Sequence, residues 1–199
     1  MSDATADAET LAVYDAGAQD YAARFRFPFD AASIARFVEL MPKGGHALDY
    51  GCGSGWGAEA MLKAGLTVRA LDASPGLVER ARAAGVPAEV GVFEDMDDVA
   101  AYDGVWASFS LLHAPRDALP GLLTRIHRAL KPGGLFYLGV KLGEGESRDR
   151  LGRRYAYWTE EDLRTLLAEA GFAWLEHHQE VETGWAGTPD AAIHVFARG

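Results

Sequence analysis

Three scarcities narrow the classes of protein to which this chain can belong. Its 199 residues include a single cysteine, Cys52, so no intramolecular disulfide can form and nothing requires an oxidising compartment. No apolar run approaches the roughly 20 residues that cross a bilayer. Residues 1–10 are acidic and alanine-rich, without the basic and apolar regions of a secretory signal. We therefore expect a cytoplasmic protein that does not enter membranes.

Positive charge is also scarce. Nineteen basic residues stand against 29 acidic residues, which gives a formal net charge of -10. Attraction to nucleic acid would then require a local basic patch. The one arginine cluster, within residues 148–154, is interrupted by Asp149 and follows Glu144 and Glu146. This composition disfavours nucleic acid as a partner and leaves a small-molecule substrate as the expectation, while the oligomeric state stays open.

Apolar residues make up 49% and charged residues 24% of the chain, which is ordinary globular composition. The length suits one domain and is too short for two. We expect residues 1–9 to be disordered and residues 10–199 to form a single domain.

Apolar periodicity predicts strands that alternate with helices. Two extra helices, 10–25 and about 34–40, precede the first strand. The predicted order is then strand 47–50, helix 55–63, strand 67–71, helix 75–84, strands 88–93 and 105–109, helix 118–130, strand 135–140, helix 161–170, and strands 173–181 and 192–197 joined in a hairpin-like ending. This alternation predicts an α/β, Rossmann-like, mostly parallel sheet with helices on both faces, whose ligand binds beyond the carboxyl ends of the strands.

A glycine-rich turn follows the first predicted strand. Gly51, Gly53 and Gly55 allow the backbone to turn sharply and to approach a ligand without a Cβ in the way. Asp49 precedes them, and a carboxylate beside this turn would repel a pyrophosphate and attract an ammonium group. A second acid, Asp72, ends the next strand about 20 residues beyond the turn, the spacing at which such sheets present a carboxylate to two ribose hydroxyls. A nucleoside ligand with a cationic end is predicted.

Four motifs in this order resemble those of the class I S-adenosylmethionine-dependent methyltransferases, over about residues 14–198. The motifs are 49–55, 70–74, 102–113 and 130–136. A closer resemblance, carried by residues 113–116, 141–146 and 154–157, is to small bacterial methyltransferases of the tellurite-resistance-like group. The resemblance implies a seven-stranded sheet whose last strand is antiparallel. It also implies S-adenosyl-L-methionine as the cofactor and S-adenosyl-L-homocysteine as the product.

The resemblance further implies a role for each matching residue in the cofactor site. Gly51, Gly53 and Asp49 would hold the methionine end, with Asp49 on the ammonium group, while Asp72 would bind the ribose and Ala73 would lie against the adenine. The remaining residues assigned to this site are Cys52, Phe93, Glu94, Ser108, Tyr14 and Tyr21. Cys52 also fits a small buried filler, Phe93 a core residue, and the two tyrosines a helix that simply packs onto the domain.

Residues of the acceptor side are fewer. His113 follows the fourth strand, where an imidazole could take a proton from an acceptor hydroxyl, amine or thiol or could equally cap a loop. Arg154, Tyr155 and Tyr157 could bind an anionic substrate or form a solvated lid. No metal site is expected, because the adjacent His177 and His178 would point to opposite faces of a strand.

Two other functions remain open at this point. A nicotinamide-dependent oxidoreductase would share the fold and the ribose carboxylate, but it would place glycine or alanine where this chain has Trp56, and it has no use for Asp49. A non-catalytic module that binds S-adenosylmethionine would retain the same cofactor turn. Turnover would distinguish that module from an enzyme.

Overall fold

Helices and strands follow one another in the predicted alternation. The computed structural model describes residues 5–24 and 31–199. Within them the helices are α1 (Ala8–Ala16), α2 (Ala18–Arg24), α3 (Ala31–Leu40), α4 (Trp56–Lys63), α5 (Pro75–Ala83), α6 (Leu119–Ala129) and α7 (Glu160–Glu169). The strands are β1 (His46–Tyr50), β2 (Thr67–Asp72), β3 (Ala88–Val90), β4 (Tyr102–Ser108), β5 (Leu130–Lys141), β6 (Glu146–Arg148), β7 (Arg154–Ala156), β8 (Ala173–Thr183) and β9 (Pro189–Arg198). None of these helices is long and apolar enough to cross a membrane.

Seven strands form one sheet in the order β3-β2-β1-β4-β5-β9-β8. Strand β1 pairs in parallel with β2 and β4, whereas β9 runs antiparallel to β5 and β8. The predicted fold, a mostly parallel seven-stranded sheet whose last strand is antiparallel, is confirmed. The strand order reverses at β1, because β2 and β4 lie on opposite sides of it. Ligands of such sheets bind at this switch point.

Apolar side chains cover both faces of the sheet. Leu48 and Tyr50 belong to one buried cluster, together with residues of α6 and α7. Ala47 and Trp106 belong to a second cluster, together with residues of α3 and α4. Since alternate residues of a strand point to opposite faces, the two clusters are the two sides of one sheet. The sheet therefore carries helices on both faces, as predicted.

The helix predicted over 10–25 is divided in two, so the described residues contain three helices before β1 instead of the predicted two. Gly17 ends α1, and a Cβ at this position would overlap the ring of Trp185. The sequence alone does not show this contact, because Trp185 lies in the β8–β9 turn. Helix α1 begins at Ala8, with the Asp7 carboxylate accepting from the Thr10 amide at 2.9 Å, so residues 7–9 belong to the helix and its cap. Residues 1–4, also predicted to be disordered, lie outside the described residues, as does Phe25.

Two further segments differ from the prediction. The strand expected over 88–93 ends at Val90, and residues 93–95 form a 3-10 turn in which the Asp95 carboxylate accepts from the Val92 amide. Between the predicted strand 135–140 and the predicted helix 161–170, where no element is expected, the chain forms β6, which pairs with β7 as a small antiparallel hairpin. An ion pair between Arg154 and Glu146 at 2.9 Å spans this hairpin. Short hairpins of charged residues carry no apolar alternation, so periodicity does not reveal them.

Candidate functional site

A cleft opens beyond the carboxyl ends of β1, β2 and β4, and we call it the first cleft. Ligands of doubly wound sheets bind at this place. The walls of the cleft come from α1 and α2, from the turn after β1 and from the segments that follow β2, β3 and β4. The sequence-predicted residues that line it are Tyr14, Tyr21, Gly51, Gly53, Asp72, Ala73, Phe93, Ser108 and His113.

The glycine turn forms the floor of the first cleft. Gly51 has a φ of 84° and donates its amide to the Leu71 carbonyl at 2.8 Å. A Cβ at Gly51 would overlap the side chain of Ser110, so this position requires glycine for its conformation and for the close approach. Gly55, at a φ of 87°, then starts α4. The turn therefore presents bare backbone to the cleft.

Asp72 is held at the end of β2 by two backbone amides. Its Oδ2 accepts from Gly53 at 2.7 Å, and its Oδ1 accepts from Ser74 at 2.9 Å. Burial raises the pKa of this carboxyl above its ordinary value, although both amides oppose the shift. Because each oxygen retains further acceptor capacity, Asp72 can still accept hydrogen bonds from a ligand in the cleft.

Asp49 lies beneath the turn and does not line the first cleft. Its side chain is buried, and its Oδ2 accepts from the Ala58 amide in the first turn of α4 at 2.8 Å. Burial raises the pKa of Asp49 to about 7, with the Ala58 amide opposing the shift. A direct contact between this carboxylate and a ligand ammonium is therefore not what the geometry provides. Its charge acts on the cleft from below.

Two residues assigned to the cofactor site point elsewhere. Cys52 packs its side chain into the apolar cluster around Ala58 and Val78, and burial raises the pKa of its thiol. Glu94 accepts from the Thr5 hydroxyl at 2.8 Å and lines a polar groove outside the first cleft. Phe93 does reach the cleft, because the 3-10 turn after β3 directs it inward. No apolar periodicity in residues 91–95 indicates that turn.

Tyr14 and Tyr21 line the first cleft from the N-terminal helices. Their rings meet edge to face at 5.3 Å, and both contact the ring of Trp185, at 5.9 and 5.4 Å. Trp185 lies in the turn between β8 and β9. The N-terminal helices and the β8–β9 turn thus meet over the site through three aromatic rings.

His113 has both ring nitrogens engaged. Its Nδ1 lies 2.6 Å from the Arg154 carbonyl, and its Nε2 lies 2.9 Å from the Tyr14 hydroxyl. A carbonyl only accepts, so Nδ1 carries the proton and Nε2 accepts from Tyr14. Burial lowers the pKa of His113 to about 4, so the ring is neutral near pH 7. Both the occupied nitrogen and the low pKa oppose a general-base role in this conformation.

A second cleft lies on the other side of Tyr14, Tyr21, Phe109 and His113, which line both clefts. We call these four residues the shared wall. Phe109 has a φ of 52°, an uncommon conformation for a non-glycine residue that is typical of functional sites. The second cleft therefore lies one side chain away from the first.

Buried ion pairs and aromatic rings line the second cleft. Lys141 pairs with Asp190 at 2.6 Å, and its ammonium lies 3.8 Å from the centroid of the Tyr155 ring. Arg153, which is only 2% exposed, donates to the Tyr14 hydroxyl at 2.9 Å and pairs with Asp149 at 2.7 Å. Both cations are neutralised by carboxylates, so the cleft offers aromatic faces and hydrogen bonds more than net positive charge.

The three predicted substrate residues separate in the structure. Tyr155 lines the second cleft. The Arg154 side chain instead pairs with Glu146 and faces the polar groove that contains Glu94. Tyr157 packs against Gly143, and its hydroxyl lies 3.3 Å from that of Ser147, outside both clefts. Alternate residues of the short strand β7 point to opposite sides, which separates Arg154 from Tyr155, whereas Tyr157 lies beyond the end of this strand.

Several lining residues were missed by the sequence analysis. They are Leu11, Lys141, Arg153, Trp185 and Asp190. Lys141, Trp185 and Asp190 meet the site only because β9 inserts between β5 and β8. One usable signal was present, since Trp185 is a large aromatic residue within the glycine-rich turn of the predicted hairpin.

A family described as a methyltransferase domain matches residues 22–177. The curated ubiquinone biosynthesis O-methyltransferase of Xanthomonas oryzae pv. oryzae is 35% identical over 105 residues, which cover 49% of this chain and 43% of that protein. An uncharacterised methyltransferase of Synechocystis is 35% identical over 99 residues, with 48% and 46% coverage. The match thus spans less than half the length of these curated relatives.

Solved structures agree. The 1,6-didemethyltoxoflavin-N1-methyltransferase of Burkholderia thailandensis, determined with 1,6-didemethyltoxoflavin and S-adenosylhomocysteine bound, has a TM-score of 0.70 at 25% identity and covers 100% of this chain and 92% of that one. TehB of Haemophilus influenzae shares the fold, with a TM-score of 0.68 at 14% identity and coverage of 89% and 65%. The family match, the sheet order and the cleft at its switch point agree with the sequence motifs, and the chain belongs to the methyltransferase domain family, with the fold of the class I S-adenosylmethionine-dependent methyltransferases.

Proposed function

We propose that the first cleft binds S-adenosylmethionine in one orientation. The amino-acid end of the donor lies on the turn of residues 51–53, its ribose hydroxyls bind Asp72, and its adenine packs between Ala73 and Phe93. This order is supported by the position of these groups along one cleft and by the bare backbone of the turn. The methyl group then faces Ser108 at the end of β4, beside the shared wall.

Asp49 contributes to donor binding without touching the donor. Its carboxylate lies under the turn and caps α4. A cationic amino-acid end on the turn would favour the ionised form of this buried acid, whose pKa is about 7 in the free protein. Donor binding and ionisation of Asp49 therefore strengthen each other, and a pyrophosphate on the same turn would meet the opposite effect.

The methyl acceptor in this proposal is a small, flat aromatic or heteroaromatic molecule bound in the second cleft. The cleft is bounded by the rings of Tyr14, Tyr21, Tyr155 and Trp185, and flat ligands stack on such faces. Two relatives carry names that fit this chemistry. The Burkholderia enzyme is named for N1-methylation of the heterocycle seen in its crystal structure, and the Xanthomonas relative is named for O-methylation in ubiquinone biosynthesis.

The reaction is an in-line displacement. A phenolate oxygen or a nitrogen of the acceptor attacks the methyl carbon, the carbon–sulfur bond breaks, and sulfur keeps the electron pair as the neutral thioether of S-adenosylhomocysteine. A proton carried by the attacking nitrogen passes to solvent. Most of the catalysis consists of aligning donor and acceptor and excluding water, because the sulfonium is already activated. The shared wall performs that alignment here. The neutral pair of His113 and Tyr14 fixes the wall and needs no change of protonation.

The observation that carries this proposal is the pair of clefts that share one wall at the switch point of the sheet. Its test incubates the protein with S-adenosylmethionine and a panel of phenols, catechols and nitrogen heterocycles, beside linear amines and carboxylates of similar mass. Mass spectrometry should detect S-adenosylhomocysteine with at least one flat acceptor. Tyr155→Ala should raise KM for that acceptor and leave donor affinity unchanged, whereas Tyr157→Ala, outside both clefts, should change neither.

Other outcomes would favour the alternatives. Binding of S-adenosylmethionine without turnover of any panel member would favour the non-catalytic binding module. Methylation of the linear amines alone would contradict the flat acceptor. The oxidoreductase alternative is not favoured, since the buried charge of Asp49 lies beneath the turn where a pyrophosphate would bind. The net charge of -10 speaks against a nucleic-acid acceptor, and the single free Cys52 is compatible with the proposed cytoplasmic location.

A further inference from the structure

The β8–β9 hairpin brings together three side chains of the kind that bind transition metals. His178 on β8 lies directly opposite His194 on β9 in the antiparallel register. Glu180 lies two residues beyond His178, so its side chain is on the same face of the hairpin. We propose that His178, Glu180 and His194 form a binding site for one divalent transition-metal ion of the Zn²⁺ class.

The donor atoms already converge. One possible ligand atom from each of His178, Glu180 and His194 lies within 4.8 Å of the other two. The Oε1 atom of Glu180 is 3.0 Å from Nε2 of His194 and 3.8 Å from Nε2 of His178. Small side-chain movements bring three such atoms to the roughly 2.0–2.2 Å distances of a zinc ion.

His194 is held in place by a second contact. Its ring is fully buried, and its Nδ1 lies 2.7 Å from the hydroxyl of Tyr137. Tyr137 is itself buried and stacks on Trp106 with 3.7 Å between ring centroids. Histidine ligands of metals usually have their other nitrogen hydrogen-bonded in this way, which fixes the ring and its tautomer. In the metal-bound state Nδ1 of His194 carries the proton and donates to the Tyr137 oxygen.

The other two ligands can adjust. The side chains of His178 and Glu180 are 43% and 44% exposed. The His178 ring stacks parallel to that of His194 with centroids 4.3 Å apart, and its Nε2 has a long contact of 3.4 Å with the Ser33 hydroxyl. A tilt of this exposed ring aims its lone pair at the point shared with His194 and Glu180. The ion then replaces the long Ser33 contact.

Two histidines and one carboxylate suit Zn²⁺, Co²⁺ or Ni²⁺ and leave at least one coordination position for water. The three ligands line neither the first nor the second cleft. They do lie on the hairpin whose turn carries Trp185, and the His194 ring contacts Phe109 of the shared wall at 5.5 Å. An ion here would therefore fix the hairpin beside the clefts without entering the reaction.

The test titrates ZnCl₂ into chelator-treated full-length protein by calorimetry, without S-adenosylmethionine. We expect one ion per chain and a rise in melting temperature with added Zn²⁺. His178→Ala and Glu180→Gln should each weaken binding at least tenfold and remove the rise. His177→Ala is the matched control, because His177 is the adjacent histidine on the opposite face, paired with Glu160.

Two results would overturn the proposal. One is the absence of Zn²⁺ binding by the wild-type chain. The other is equal stoichiometry and affinity in the wild type, His178→Ala and Glu180→Gln, since the ion would then be held elsewhere. The test substitutes only the exposed His178 and Glu180, because a substitution at the buried His194 could also disturb folding. Because the readout is metal binding, it is independent of any methyl-transfer assay.

Discussion

The hydroxyl of Tyr14 lies 2.9 Å from Nε2 of His113 and joins the first helix of the chain to the segment after β4. The same hydroxyl accepts from Arg153 at 2.9 Å, and Arg153 pairs with Asp149. A single line of hydrogen bonds therefore crosses the shared wall of the two clefts. The wall keeps its shape only while Tyr14 both donates and accepts.

Tyr14→Phe should reduce turnover more than it reduces donor affinity. The ring remains to cover the first cleft, but Nε2 of His113 and one Arg153 donor lose their partner in a buried place, at about 1–3 kcal/mol. We expect kcat to fall about tenfold or more, while calorimetry finds the affinity for S-adenosylmethionine within about threefold of the wild type. Tyr157→Phe, outside both clefts, serves as the control. An equal kcat in Tyr14→Phe would contradict the role of the hydroxyl.

The low pKa of His113 gives a second prediction. A histidine whose native pKa is about 4 binds fewer protons in the folded than in the unfolded state between pH 4 and 6.5. Stability should therefore fall as pH drops through this window, and His113→Gln should flatten that dependence. The pH–activity profile of the wild type should match that of His113→Gln near pH 6.5. A decrease in wild-type activity below pH 6.5 that is absent from His113→Gln would show that His113 acts as a base of ordinary pKa.

Asp72→Asn should weaken donor binding by about ten- to a hundredfold, since hydrogen bonds to a charged group contribute about 1.5–3 kcal/mol. The substitution keeps the volume and one acceptor oxygen, but it places an NH2 group against one of the two backbone amides that Asp72 binds, so thermal melting of the variant accompanies the titration. Asp97→Asn is the control, because that carboxylate is 80% exposed and pairs with Arg128 on the surface. Isothermal titration with S-adenosylmethionine and S-adenosylhomocysteine measures the effect. Unchanged affinity in Asp72→Asn would refute the ribose assignment.

Asp49→Asn should move stability and affinity in opposite directions. The pKa of Asp49 is raised to about 7 in the folded protein, so the folded state binds this proton more tightly than the unfolded state. The stability that the bound proton contributes is lost as pH rises from about 4 to 7. Asparagine can still accept from the Ala58 amide without a buried charge. At pH 8 the variant should melt at an equal or higher temperature.

The same variant should bind S-adenosylmethionine about tenfold more weakly at pH 8, because the negative charge under the turn is gone. The wild-type affinity should increase between pH 6 and pH 8, and the affinity of Asp49→Asn should not. A parallel pH dependence in both proteins would place the titrating group elsewhere.

The fold and the centre of the first cleft were predictable from the sequence, and the reason is local. The glycines of residues 51–55, Asp49 and Asp72 lie at strand ends that apolar periodicity reveals, so their position follows once the sheet is parallel. What Asp49 contacts was not predictable, because its partner is the amide of Ala58 across a turn. Contacts between segments far apart in sequence were missed because no local pattern indicates them. Examples are the contact of Trp185 with Tyr14 and the position of His178 opposite His194.

Gly51 is glycine for two separable reasons, its positive φ and the lack of space for a Cβ beside Ser110. Gly51 and Gly65 have φ values of 84° and 85°, but a Cβ at Gly65 meets open space, whereas one at Gly51 overlaps Ser110. Gly65→Ala should therefore cost only the backbone strain, about 1–2 kcal/mol. Gly51→Ala should cost clearly more and should also weaken donor binding, as thermal melting and calorimetry can measure.

Ser110→Gly in the Gly51→Ala background tests the steric part directly. Removing the Ser110 side chain clears the overlap but also removes its hydrogen bond to the Tyr50 carbonyl, which is 2.5 Å long. A double-mutant cycle allows for that loss, because Ser110→Gly alone measures it. The two substitutions together should then be less damaging than the sum of their separate effects. Strict additivity would mean that the turn rejects alanine for its positive φ alone, and that the contact with Ser110 does not shape the floor of the cleft.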